Sequence, residues 1–154
     1  MTPAQLTTLK AHILANYASE WAQGAANLIA SHYNEMATPD FYLWKSSYSP
    51  DELRASLMNG ITQLDALAAS KRDSLLWLIQ GNLDMRVTQS RTALDDLTGS
   101  QNTLKNALLD GGKRKANVAE KMFATGTGSL ASPAIADFEG TVSAQTVYEA
   151  MSNG

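Results

Sequence analysis

Two histidines, no cysteine and fifteen carboxylates limit what this 154-residue chain can do chemically. His12 and His32 fall in separate helical patterns, and only Glu35, three residues after His32, adds a carboxylate on the same face. One histidine and one glutamate fall short of the three or four ligands a zinc site needs. Without cysteine there is no thiolate nucleophile, and no serine sits in a Gly-x-Ser-x-Gly elbow. Asp95 and Asp96 are adjacent, so on a helix their side chains point about 100° apart and cannot share one proton or one substrate atom. Gly126-Thr127-Gly128 has the look of a phosphate loop, but it follows a helical pattern and lacks a Gly-Lys-Ser/Thr continuation. No catalytic residue, metal ligand or cofactor is expected.

Lys113-Arg114-Lys115 is the densest basic cluster, and with Lys105 and Lys121 it could meet DNA phosphates. No aromatic residues interleave with it for base stacking, and the bland expectation is a solvated helix start. Trp21, Trp44 and Trp77 lie in apolar patterns and read as core anchors.

The elements that must carry these residues are mostly helical. Thr2-Pro3-Ala4-Gln5 is a capping box with Pro at the first helical position, opening a helix through Leu6, Leu9 and Ile13 to about Asn16. A second helix is expected over 20–37 despite Gly24, ended by Thr38-Pro39-Asp40. Phe41 to Lys45 reads as a short extended segment. Ser49-Pro50-Asp51-Glu52 repeats the capping logic for a helix to Asn59-Gly60, and Ile61 to Leu67 alternates as extended chain would. A helix from Lys71 to Gln80, apolar nearly all round, belongs in the middle of the core. Thr88 to Leu97 is a further helix, and a last long one spans 100–124 with a break or bend at Gly111-Gly112.

After Phe123 the chain changes character. Thr125, Gly126, Thr127, Gly128, Ser132 and Pro133 belong to a run of small residues without helical period, an arm that ends in a candidate strand at Phe138-Glu139-Gly140-Thr141-Val142. Ser143 then caps a short helix carrying Val147, Tyr148 and Met151. Such an arm can add its strand to a neighbour's sheet edge, or fold back on its own domain beside Phe41 to Lys45. The expected organisation is therefore a mainly α, compact helical bundle with one or two short β segments and an extended C-terminal arm: a helical core over 1–124, the arm over 125–142 and a short helix over 143–154. One ordinary domain suffices for this length.

Composition excludes several partners. Charged residues make up 18%, below the roughly 25% of soluble domains, while 44% are hydrophobic, which hints at surface covered by partners. Net charge is −3, so neither nucleic acid nor an anionic membrane is broadly attracted. The start of the chain lacks a signal peptide pattern and no apolar run reaches the roughly 18 residues of a membrane span, so a cytoplasmic, membrane-free product is expected.

The stretch from Lys113 to Tyr148 resembles small virion structural proteins encoded among the head and tail genes of tailed bacteriophages. The residues carrying the likeness are Ala119-Glu120-Lys121-Met122-Phe123-Ala124-Thr125-Gly126-Thr127-Gly128, Ala131-Ser132-Pro133-Ala134 and Phe138-Glu139-Gly140. Leu6 to Ala11 and Pro39-Asp40-Phe41-Tyr42-Leu43-Trp44-Lys45 add a weaker similarity, and together these cover under half the chain. Other members carry more tryptophan and a longer middle than this chain has around Ala55 to Thr98. The resemblance implies a head-to-tail adaptor or head-completion protein: a homo-oligomeric ring in the neck, assembled in the host cytoplasm, touching the portal protein and neighbouring neck or tail proteins and passing DNA through its lumen. Tail completion, capsid decoration and a DNA-binding assembly factor using Lys113, Arg114 and Lys115 are the alternatives. In the adaptor reading, contact residues lie at Phe123, Thr125 to Gly128, Ser132, Pro133, Phe138 to Gly140 and Val142, and removal of 125–154 is expected to leave a folded domain that cannot assemble.

Overall fold

A computed structural model describes residues 1–152. Its elements in chain order are α1 (Pro3–Asn16), α2 (Ala18–Ala22), α3 (Ala26–Asn34), β1 (Tyr42–Trp44), α4 (Pro50–Asn59), a 3₁₀ turn (Ile61–Gln63), α5 (Ala69–Leu78), α6 (Thr88–Thr98), α7 (Asn102–Gly111), β2 (Lys113–Lys115), α8 (Val118–Met122), β3 (Ala124–Thr125), β4 (Ile135–Ala136) and α9 (Ala144–Ser152). The fold is mainly α, with two small two-stranded sheets, β1 with β2 and β3 with β4. The expected end of the last helix, Asn153 and Gly154, lies outside the described residues.

Local signals placed the starts of α1, α4 and α9. Thr2 and Ser49 each accept the backbone N–H three residues on, while Gln5 and Glu52 reach back to the cap's own N–H. The Ser143 hydroxyl accepts from Thr146 N at 3.1 Å and opens α9. Each such cap is worth about 1 kcal/mol.

The chain divides into two compact units, so the stretch 1–124 expected as one helical core is shared between them. One holds Met1–Tyr42 together with the chain from Lys115 onward; the other is Leu43–Arg114. In the first, α1 and α3 pack against α9, and the core is Leu6, Leu9, Ile13, Ile29, Tyr33, Ala119, Val142, Val147 and Ala150. Side chains at i, i+3 and i+7 of α1 line one face, and each large one fully buried stabilises by roughly 1.5–3 kcal/mol. In the second, α4 packs on α7, and α6 packs on α5 and α7, around Tyr48, Leu53, Leu75, Met85, Leu94, Leu104 and Leu108. Gly60 lets the end of α4 approach α7: a Cβ there would lie 2.5 Å from Leu104 Cα.

Several expectations are corrected. The helix expected over 20–37 is two helices, because Gly24 takes a left-handed φ of +72° that ends α2. Ile61 to Leu67 is not extended; it turns through the 3₁₀ segment, where the Gln63 side chain accepts the Leu104 N–H. The span 100–124 breaks after Gly111 into β2 and α8, so Lys113 to Lys115 form a strand and not a helix start. Helix α5 is not a central core helix. It buries only Leu75, with Ile79 just beyond it, and leaves Leu76 and Trp77 exposed.

Candidate protein-interaction surfaces

The arm closes on its own unit. Ala124 and Thr125 pair antiparallel with Ala136 and Ile135, so the strand lies at Ile135–Ala136 and not at the expected Phe138 to Val142. Tyr42 donates its N–H to the Gly128 carbonyl at 2.7 Å, and its own carbonyl accepts from Ala134 N at 2.9 Å. The arm thus borders Phe41 and Tyr42 through Gly128 and Ala134, whereas the folded-back expectation had placed the Phe138 to Val142 strand beside Phe41 to Lys45. Gly128 is buried, its φ is +65°, and any Cβ would run into the Phe41 ring. Gly126 (φ +123°) likewise passes close to Ala134. The Thr127 hydroxyl donates to the Ser132 carbonyl, and Pro133 is buried. Ser132 donates its N–H to Ser129, and Phe138 meets Phe123 edge-on at 5.9 Å.

Three polar side chains that the sequence reading passed over hold the end of the arm. The Asn34 amide donates to the Val142 carbonyl and accepts its N–H, both at 2.8 Å. Asn117 donates to the Gly140 carbonyl at 2.8 Å, and Glu120 accepts the Gly140 N–H at 3.1 Å. Asn117 and Glu120 also cap α8 reciprocally, so this pair was legible as an Asn-x-x-Glu capping box. Asn34 carried no local signal, because its partner is 108 residues away. These contacts use the main chain of Gly140 and Val142 in cis, leaving no open strand edge there. Glu139 is half-buried, while Thr125, Leu130 and Ile135 face outward.

A second surface lies on α5. Trp77 is 74% exposed and Leu76 is also exposed. Trp77 and Leu78 border a cleft of about 350 Å³ with Gln80, Gly81, Asn82 and Leu83. Trp77 therefore departs from the core role expected of it. Trp21 and Trp44 are half-buried against the cores of their own units, as expected. Arg91 and Lys113 stand over the Trp44 ring at 5.0 and 5.6 Å, and the Arg91 guanidinium also donates to the Met85 and Arg86 carbonyls.

The basic cluster is largely neutralised within the chain. Lys113 pairs with Asp110 at 2.6 Å and Lys115 with Asp40 at 2.7 Å, while Lys105 pairs with Asp95 at 2.9 Å. The Asp40 carboxylate raises the Lys115 pKa. A phosphate would have to displace these partners.

Lys45, then Ser49, hydrogen-bond the Glu52 carboxylate and hold its pKa down at about 2. Arg86 does the same in direction for Asp84. Burial raises the phenol pKa values of Tyr33 and Tyr48, the latter offset in part by the adjoining Ser56 hydroxyl. Both histidines flank Tyr17: His32 stacks on its ring and pairs with Glu35 at 3.4 Å, while the His12 ring lies 6.3 Å from it with Nδ1 2.7 Å from the Tyr33 hydroxyl. Among the described residues no three His, Asp or Glu side chains gather as metal ligands, and no helix is long and apolar enough to cross a membrane.

No protein-family model, curated protein or solved structure matches this chain.

Proposed function

We propose that this chain is a structural protein of a tailed bacteriophage particle, a neck adaptor or head-completion protein that acts by binding protein neighbours in a homo-oligomeric ring between portal and tail. The observation that carries the reading is the exposed face of α5: an indole left in water beside Leu76 and an apolar cleft is a surface awaiting a protein partner. The resemblance over Lys113 to Tyr148 supports the phage setting. A ring needs a heterologous contact, one surface meeting a different one on the next subunit. The α5 face can supply one side of it, and the outward Leu130 and Ile135 of the arm the other. The in-chain pairing of Lys113 and Lys115 disfavours the DNA-binding alternative and suits a lumen that passes DNA without holding it.

The test is electron microscopy of lysates from a phage with a stop codon in this gene, complemented with wild-type or Trp77→Ser protein. Full or leaking heads beside complete, separate tails are expected without complementation, and Trp77→Ser should fail to restore joined particles. Intact particles without the protein overturn the neck assignment, and defective tails or unstable capsids redirect it to tail completion or decoration.

A further inference from the structure

A pocket of about 360 Å³ opens on the first unit, lined by His12, Ala37, Thr38, Val118, Lys121 and Met122. Its size lies at the small end of the range for ligand sites, and its lining divides by chemistry. Ala37, Val118 and Met122 are apolar, whereas Thr38, His12 and Lys121 can present hydrogen-bond donors. Tyr33 settles the histidine's role. Its phenol is fully buried with His12 Nδ1 as its partner, and burial keeps it protonated. A buried O–H needs an acceptor, so with Tyr33 donating to Nδ1 the other ring nitrogen, Nε2, is the donor His12 has left to offer.

Lys121 has no carboxylate partner among the described residues; its ammonium sits only 5.7 Å from the Phe41 ring centroid. Glu120, the adjacent residue, bonds Asn117 and Gly140; Asp40, next to Phe41, pairs with Lys115; and Glu35, whose carbonyl accepts the Val118 N–H, pairs with His32. A half-buried cation with no counter-ion, beside the donors of Thr38 and His12 and an apolar wall, is complementary to an anion attached to a hydrocarbon group.

We infer that this pocket binds a carboxylate flanked by apolar side chains, presented by a segment of a partner protein. Its occupancy does not depend on the partner being a phage protein, so it is tested apart from the neck role.

The experiment is a ¹H–¹⁵N NMR titration of the full chain with the blocked peptides Ac-Leu-Glu-Leu-NH₂ and Ac-Leu-Gln-Leu-NH₂ and with 4-methylpentanoate as a free acid. The Glu peptide should shift the amides of Thr38, Lys121 and Met122 saturably, and bind about tenfold or more tighter than the Gln peptide, since hydrogen bonds to a charged group are roughly twice as strong as neutral ones. Added salt should weaken it. Lys121→Gln should abolish the shifts and Lys121→Arg keep them, which separates lost charge from lost folding. Equal binding of the two peptides, shifts elsewhere, or full binding by Lys121→Gln overturns the site. Saturation by the free acid without binding of the Glu peptide overturns the protein-segment assignment.

Discussion

Replacing Asn34 by alanine tests whether the arm is held by the side chain that clamps Val142. The substitution removes two hydrogen bonds of 2.8 Å, one donated to the Val142 carbonyl and one accepted from its N–H. Each bond contributes about 1 kcal/mol net, and a partly buried backbone group left unpaired costs about 1–3 kcal/mol. Val142 is only 2% exposed, so water replaces Asn34 poorly there. The expected loss is therefore about 2–4 kcal/mol, a large share of the roughly 5–15 kcal/mol typical of a folded domain. With a urea slope of about 2 kcal/mol/M, the middle of the usual range, the midpoint should fall by roughly 1–2 M. Urea unfolding followed by circular dichroism gives the global figure, and hydrogen exchange at the Val142 amide gives the local one, since its protection should fall most. Asn34→Asp keeps the acceptor and should lose less at neutral pH. A change below about 1 kcal/mol with unaltered Val142 exchange would refute the clamp, because two intact bonds to a buried residue cannot vanish at so little cost.

Three further outcomes follow from the packing and the charges. Gly60→Ala should destabilise by at least about 1–3 kcal/mol in thermal or urea unfolding, because its Cβ meets Leu104 backbone that cannot swing aside. Glu52 has a folded-state pKa depressed from 4.5 to about 2, so its contribution is present above pH 4.5 and is lost as pH falls towards 2; stability profiles of wild type and Glu52→Gln should converge across that window, with the Glu52 carboxyl ¹³C titration reporting the depressed value directly. Deleting 125–154 should unfold the first unit instead of leaving it intact, because Val142, Val147 and Ala150 leave the core around Leu9, Ile13 and Ile29; loss of exchange protection in α1 and α3 is the readout.

What the sequence by itself determined was local. The boxes Thr2-Pro3-Ala4-Gln5, Ser49-Pro50-Asp51-Glu52 and Asn117-Val118-Ala119-Glu120 satisfy backbone donors within four residues, and the boxes at Thr2 and Ser49 announced their helices without reference to the rest of the chain. The break near Gly111 and the change of character after Phe123 were likewise visible as composition. Tertiary structure decided everything that depends on which surfaces meet. Leu75, Leu76, Trp77, Leu78 and Ile79 are all apolar in sequence, yet only Leu75 and Ile79 are buried, because which face of an unbroken apolar run is covered is chosen by its neighbours. The arm's two fates used the same residues. Asn34, Tyr42 and Phe41 chose between them, reaching across 86 to 108 positions of chain to occupy its main-chain groups and its glycine contact.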